Sequence, residues 1–456
     1  MQTKRRELDM CNGPLGPKIL LFALPLMLSS ILQLLFNAAD VIVVGKFAGD
    51  ASLAAVTSTG SLINLLINLF MGLSIGANVV VAQAIGHGDR SRTEKAVHTS
   101  VVISLVSGVL LAVVGFFCAR QFLEWMDSPE NVIGLSALYL RIYFLGMPAS
   151  LFYNFGSALL RAQGDTRRPL NYLTLAGIVN VCLNLLLVIV FHLDVAGVAI
   201  ATVISQYISA LLVLRCLLRE TGLLHLELSR LRVDREILGV IVQIGLPAGF
   251  QGVVFSISNV VIQSSINSFG DIVMAGSGAS ANIEGFVYMG MNAFYQTCLT
   301  FTSQNYGAGK SDRVDKVLLW CQFYSLVTGL VLGNLAYLFG PQLLSIYSPS
   351  PDVIAQGMVR LLYVSAPYAL CGIMDVMVGS LRGLGWSVVP MIVSMVGACG
   401  LRLVWIATVF QVIHTPQCLY FSYPVTWIIT GAVHIICFLV IRKKAYAKIE
   451  GAAVCA

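Results

Sequence analysis

An internal repeat constrains this chain more than any other feature. Leu160-Arg161 recurs as Leu381-Arg382, 221 residues later, and Leu24-Pro25 recurs as Leu246-Pro247, 222 residues later. Chance does not keep one register over most of a chain, so the two halves are copies of one unit. The same register relates Gly164 and Pro169 to Gly385 and Pro390, Gln83, Gly86 and Gly88 to Gln304, Gly307 and Gly309, and Asn37 to Asn259.

Composition places both copies in a membrane. Hydrophobic residues make up 57% of the chain and charged residues only 11%, whereas average usage includes about 25% charged residues. Apolar runs recur throughout, and each is long enough to cross a bilayer as a helix. The sequence therefore predicts an all-α membrane protein with twelve transmembrane helices. The predicted spans are residues 18–44, 53–84, 94–119, 132–160, 168–192, 195–218, 237–268, 276–306, 314–340, 354–381, 386–412 and 418–441.

The distribution of positive charge predicts the orientation of the chain. If the N-terminus is cytoplasmic, the 28 Lys and Arg residues fall on the cytoplasmic side except for Lys46, Arg120, Arg141, Arg360 and Arg402. This is the positive-inside pattern, so both termini are predicted to be cytoplasmic in a multi-pass protein of the inner (cell) membrane. The net charge of +6 is then a consequence of topology, and we expect no nucleic-acid partner.

Twelve spans divide evenly between the two copies. We predict a cytoplasmic segment at 1–17, an N-lobe at 18–218, a cytoplasmic linker at 219–235, a C-lobe at 236–442 and a cytoplasmic tail at 443–456. Because each copy has an even number of spans, both enter the membrane in the same orientation. A duplicated membrane domain is typical of secondary transporters, which bind substrate between the repeats.

One carboxylate lies where the bilayer makes it costly. Gln33, Asn37 and Asp40 in the first span have the spacing i, i+4, i+7, so they share one helix face. An acid inside a span marks a functional site by default. Asp40 is therefore predicted to take up and release a proton, or to bind sodium together with amide and hydroxyl oxygens.

Three further spans of the first half carry polar side chains with helical spacing. The alternative to an ion site is that these amides and hydroxyls hold helices together, which is common in membrane bundles. The residues are Asn64 and Asn68 in the second span, Asn180 and Asn184 in the fifth, and Thr202, Ser205 and Gln206 in the sixth.

The second half carries a different set of charges. Glu284, Asp375 and Arg402 lie inside predicted spans and form a candidate C-lobe site. A structural ion pair, with Arg402 compensating an acid, is the alternative. Through the repeat, Asp375 aligns with Asn154.

Two further expectations concern mobility and chemistry. Pro25 lies inside the first span and is predicted to act as a hinge, because proline removes a helix hydrogen bond. The eleven cysteines are dispersed and no metal-ligand pattern accompanies them, so we expect neither a metal nor a cofactor besides the coupling ion. No catalytic motif is present, and an enzyme is not expected.

Several motifs together resemble the multidrug and toxic compound extrusion (MATE) transporters over essentially the whole chain. They are Leu24-Pro25-Leu26 followed by Asp40, AQAIGHGD at 82–89, LRAQGDTRRP at 160–169, AIATVISQ at 199–206, SQNYGAGK at 303–310 and LRGLG at 381–385. The resemblance implies two six-helix lobes around a central cavity. It also implies export of organic, often cationic, compounds in exchange for protons or sodium.

The resemblance also implies an N-lobe cation site, to which Asp40, Asn180, Asn184 and Thr202 correspond. Asn184 stands where many members have Asp, which leaves one carboxylate instead of two. Members with a seventh-helix Glu would have it at Phe255. The expected partners are a small, cationic and amphipathic organic substrate and membrane lipids, with the protein itself a monomer. The alternatives are a lipid-linked oligosaccharide flippase of the same superfamily and a membrane-embedded transferase.

Overall fold

The computed structural model describes residues 8–126 and 130–454, without the side chains of Asp50, Ser61, Asn131, Lys448, Glu450 and residues 451–454. Parts of the predicted terminal segments, residues 1–7 and 455–456, lie outside the described residues. Within the described ranges the chain is helical and contains no strand, so the predicted all-α class is confirmed.

The described residues form two compact units. The first comprises Leu8 and residues 28–249. A π-helical turn, Leu185–Val190, extends its helix α6. Its helices are α1 (Leu15–Phe47) from Leu28 onwards, α2 (Asp50–His87), α3 (Arg90–Trp125), α4 (Glu130–Leu145), α5 (Met147–Ala162), α6 (Arg167–Asn184), α7 (Asp194–Arg219) and α8 (Arg235–Asn267) as far as Gly249.

The second unit comprises Asp9–Met27 and residues 250–454. Two π-helical turns, Leu361–Ser365 and Met395–Gly400, interrupt its helices. The helices are the start of α1, the rest of α8, α9 (Asp271–Gly307), α10 (Ser311–Leu338), α11 (Gly340–Ser345), α12 (Pro351–Arg360), α13 (Ala369–Gly383), α14 (Val388–Ser394), α15 (Leu401–Ala407), α16 (Val409–Val412) and α17 (Pro416–Val454).

Nine single helices and two bent helix pairs among the described residues are both long and apolar enough to cross a membrane. The bent pairs correspond to predicted spans 132–160 and 354–381, and they bend by 47° and 42° next to Pro148 and Pro367. The remaining predicted span, 276–306, is α9, which is long but rich in Gly, Ser, Thr and Asn. Each of the twelve predicted spans thus has a helical counterpart.

The repeated Gly-x-Gly motifs end helices. Gly88 adopts a left-handed conformation (φ 77°) directly after α2, and Gly309 (φ 70°) follows α9. A side chain is strained in this region of backbone space, which explains the glycines. Asp89 then caps α3 by accepting a hydrogen bond from the Arg92 N–H at 2.9 Å.

The predicted linker folds against the start of α3. The imidazole of His98 contacts the Glu227 backbone at 3.2 Å, and the Thr99 hydroxyl accepts from the Asp234 N–H at 3.0 Å. The Ile237 backbone N–H and the Lys95 ammonium both lower the pKa of the Asp234 carboxyl. The linker is therefore an ordered part of the first unit.

Candidate functional site

A polar cavity of about 120 Å³ opens in the first unit among α1, α5, α6 and α7. Asp40 is its only ionisable carboxylate among the described lining residues. The predicted residues that line the cavity are Gln33, Asn37, Asp40, Asn180, Thr202, Ser205 and Gln206.

Asn184 joins the polar residues of this cavity. It is fully buried, and its Nδ2 donates to Asp40 Oδ1 and, at 3.3 Å, to Asn180 Oδ1. Asn180 Nδ2 donates in turn to Thr202 Oγ1 at 3.4 Å. Thr202 donates to the carbonyl of Val198 at 3.0 Å. The structure thus brings Asp40, Asn180, Asn184 and Thr202 together in one hydrogen-bonded row, which we call the Asp40 network.

Close packing of α1 on α6 makes the Asp40 network geometrically feasible. Phe36 and Asp40 lie one turn apart on α1, and Gly177, Asn180 and Asn184 are spaced by one turn on α6. A Cβ atom at Gly177 would lie 1.9 Å from the Phe36 ring. Only glycine allows α1 and α6 to pack this closely. The close packing brings Asp40 into contact with Asn184.

Helix α5 contributes polar residues that the sequence analysis did not assign to the site. Ser150, Tyr153 and Asn154 line the cavity. Their spacing of i, i+3, i+4 directly after Pro148 is the signal that would have predicted them. Asn64 is exposed and Asn68 half-buried on α2. Neither is a lining residue of the cavity.

The corresponding positions of the second unit are apolar or aromatic. Through the repeat, Asp40 corresponds to Ile262, Asn184 to Trp405 and Thr202 to Tyr423. Ile262 is buried in a hydrophobic cluster, and Trp405 and Tyr423 pack against that cluster. The polar network therefore belongs to the first unit alone.

Glu284 of the second unit forms an ion pair that the sequence analysis did not identify. Arg360 Nε and Nη2 donate to its carboxylate at 3.0 and 2.9 Å, and Arg360 Nη1 donates to Ser277 Oγ at 2.8 Å. Both charged side chains are buried. The feature of the sequence that pointed to this pair was Arg360 itself, a cation inside the predicted span 354–381. The positive charge of Arg360 compensates the negative charge of Glu284.

Asp375 and Arg402 have separate partners. Asp375 lies beside the Tyr288 side chain. Arg402 lies 4.0 Å from the centre of the Tyr423 ring and donates to Thr426 Oγ1 at 3.1 Å. Among the described side chains no carboxylate lies within salt-bridge distance of Arg402. The candidate C-lobe residues are thus dispersed, each with a neighbour of its own.

The chemistry available at the Asp40 network is limited to one acid and several neutral dipoles. Within residues 8–126 and 130–454 there is no cluster of three or more His, Cys, Asp and Glu side chains that could hold a metal ion. A single carboxylate bonded to an amide N–H can exchange a proton or bind a monovalent cation.

The family model MatE matches residues 25–186 and again residues 247–408, in the register of the internal repeat. The chain belongs to the MatE family. MATE proteins are multi-pass membrane transporters, so the predicted fold and membrane location are confirmed.

Similar proteins support the same assignment. The chain is 28% identical to the probable multidrug resistance protein YoeA of Bacillus subtilis (strain 168), over 84% of either protein. It is 24% identical to an FAD transporter of Shewanella oneidensis, over 81% of this chain and 83% of that one. An outward-facing multidrug resistance MATE transporter of the MOP superfamily superimposes with a TM-score of 0.89 at 20% identity, over 99% of this chain and 100% of that one. A MATE efflux transporter of small molecules is the function these likenesses support.

Proposed function

We propose that this MATE protein is a cation-coupled antiporter that exports small organic compounds, with Asp40 exchanging the coupling ion. The observation that carries the proposal is the Asp40 network. It places one carboxylate in a polar cavity and bonds it to the buried amide of Asn184.

Protonation of Asp40 changes what the network can do. The charged carboxylate only accepts hydrogen bonds and is well matched to the Asn184 N–H. The protonated acid carries a donor of its own and binds that N–H less strongly. Loss of this bond weakens the contact between α6 and α1, and α1 can then bend at the Pro25 hinge. The two protonation states then favour two conformations of α1.

The coupling ion in this proposal is the proton. A sodium ion between Asp40 and Asn184 would need the amide oxygen to face the carboxylate, whereas the amide nitrogen faces it here. Asn184 Oδ1 is buried without a hydrogen-bond partner among the described residues. A sodium ion between these two side chains would therefore require the Asn184 amide to turn over.

We infer the substrate class from the charge of the cavity lining. The described lining of the cavity contains Asp40 and no Lys or Arg, which favours cationic amphipathic compounds over anions. A lipid-linked oligosaccharide, whose pyrophosphate needs cationic partners, fits this lining poorly. The likeness to an FAD transporter supports an organic anion as the second candidate.

Asp40→Asn tests the coupling role. We expect the variant to insert normally in the membrane but to lose pH-driven export, because the amide cannot take up a proton. The measurement is efflux of a cationic dye from proteoliposomes under imposed pH and sodium gradients, applied separately. Asp375→Asn, the matched change of an intramembrane acid in the second unit, should retain export.

Normal export by Asp40→Asn would refute the coupling role. In the same vesicles, transport of FAD with no transport of cationic dyes by the unsubstituted protein would replace the proposed substrate class with the second candidate.

A further inference from the structure

A groove of about 570 Å³ runs along the surface of the second unit. Helix α13 packs against both α10 and α17, and the groove follows α13 between them. Leu318, Met377 and Phe438 are buried and form its floor. Leu319 and Leu439 form its walls and are 68% and 49% exposed. We call this feature the α10–α17 groove.

The length of the groove matches one leaflet of a bilayer. Its lining on α10 extends from Asp315 to Leu326, and at 1.5 Å per residue this is about 16 Å. The hydrocarbon core of a bilayer is about 30 Å thick, so one leaflet contributes about half of that. An apolar groove of this length accommodates a single acyl chain.

The end of the groove at the start of α10 and the end of α17 is basic. Arg442 Nη2 contacts Asp315 Oδ2 at 3.4 Å, and the Tyr446 hydroxyl donates to Asp315 Oδ1 at 2.9 Å, so the acid is engaged at both oxygens. Lys443 lies one turn after Leu439 on the same face of α17. Lys443 and Lys444 are exposed, and among the described side chains neither pairs with a carboxylate. The net charge at this end is positive.

Topology places that basic end at the cytoplasmic surface. Basic residues directly cytoplasmic of a transmembrane helix attract anionic lipid headgroups. The groove thus combines an apolar channel one leaflet long with cations at headgroup level. Phosphatidylcholine matches the channel but lacks the net negative charge.

We propose that the α10–α17 groove binds an anionic phospholipid of the cytoplasmic leaflet, with one acyl chain along α13 and the phosphate at Arg442 and Lys443. The site lies outside the Asp40 network and does not depend on the proposed coupling. Asp40→Asn should therefore bind the lipid as the unsubstituted protein does.

The test uses native mass spectrometry of the full-length protein with dioleoyl phosphatidylglycerol or dioleoyl phosphatidylcholine added in detergent. We expect a phosphatidylglycerol adduct that persists where the phosphatidylcholine adduct is lost. Arg442→Gln and Lys443→Gln should each weaken it about fivefold, the effect of one basic side chain near an anionic surface.

A second variant tests the acyl channel. Leu326→Phe fills the far end of the groove and should reduce binding of either lipid. The matched controls are Leu335→Phe, on the exposed side of α10 outside the groove, and Arg120→Gln, a cation of the first unit. Both should leave the adduct unchanged.

Equal retention of the two lipids would overturn the proposal, as would an undiminished adduct in the Arg442→Gln/Lys443→Gln protein. Displacement of phosphatidylglycerol by inorganic phosphate would show an ion site instead of a lipid site. Displacement by a transported dye would identify the groove as a substrate site.

Discussion

At the scale of single residues, the side chain at position 184 sets the chemistry that is offered to Asp40. The amide of Asn184 supplies an N–H to Asp40, where a second carboxylate would supply only oxygens. An oxygen-rich pair suits a hard monovalent cation, and a carboxylate with an N–H donor suits proton exchange.

Asn184→Asp is expected to make efflux responsive to sodium. Two carboxylates in direct contact cannot both remain charged unless a cation lies between them. Efflux from vesicles with a sodium gradient and no pH gradient should rise above that of the unsubstituted protein. Asn184→Ala, which removes the donor without adding an acid, should show no such gain. A sodium response unchanged in Asn184→Asp would exclude residue 184 as the determinant.

The ion pair of Glu284 with Arg360 is expected to stabilise the second unit without acting in transport. Glu284→Gln leaves a buried guanidinium uncompensated, at a cost of about 3–5 kcal/mol in the free energy of unfolding. The melting temperature in detergent should fall accordingly. In the exposed pair Arg120–Glu124, Glu124→Gln should cost less than about 1 kcal/mol.

A double variant separates structure from function. Glu284→Leu combined with Arg360→Met removes both charges and should recover most of the lost stability, because hydrophobic replacements of buried pairs are tolerated. Its dye efflux should be preserved. A stable double variant without efflux would assign these charges to transport.

At the scale of elements, helix contacts decide which polar faces meet. Helix α5 brings Ser150, Tyr153 and Asn154 to the cavity, although α2 carries an equally polar stripe. The bend of 47° between α4 and α5 follows from Gly146 and Pro148, which interrupt the helix. Periodicity predicts such faces, and packing selects among them.

Gly177→Ala is expected to disrupt the α1–α6 contact. The added Cβ would meet the Phe36 ring at 1.9 Å, and overpacking of this kind costs about 1–3 kcal/mol. Because α1 must move away, Asp40 should lose its bond to Asn184, and pH-driven efflux should fall. Gly134→Ala on α4, where a Cβ meets nothing within 4 Å, is the matched control. Unchanged efflux in Gly177→Ala would show that this contact does not position Asp40.

At the scale of the whole molecule, a motif that recurs in both halves supports a long-range contact in the second unit. The segment before α1 packs in the second unit, where Met10 is fully buried. Asn305 and Arg313 donate to the Met10 carbonyl at 3.2 Å, and Lys310 donates to the Cys11 carbonyl at 2.8 Å. The SQNYGAGK motif therefore holds a segment about 300 residues away in sequence.

Arg313→Ala is expected to lower the melting temperature in detergent, because the Met10 carbonyl loses a charged donor at a cost of about 1–3 kcal/mol. Deletion of residues 2–13 should have a similar effect. Because the deletion also removes the contacts of Arg313 with Met10 and Gly13, the combination should cost less than the sum. Lys316→Ala, an exposed change on α10, serves as control. Additive losses would show that Arg313 acts elsewhere.

The sequence by itself determined the class of the protein, the duplication and the helical spans, and it singled out the candidate acid. These follow from composition, charge distribution and periodicity, which act locally along the chain. Asp40 could be singled out because an isolated carboxylate in an apolar span is costly wherever it lies.

Only the tertiary structure decided which side chains meet. It placed Asn184 in hydrogen-bond contact with Asp40 and paired Glu284 with Arg360 rather than Arg402. It also lined the cavity with α5 rather than α2. Sequence periodicity fixes the face of a helix but leaves open its neighbours and its rotation. Those depend on close approaches such as that of Gly177 to Phe36, where a single missing Cβ determines the distance between two helices.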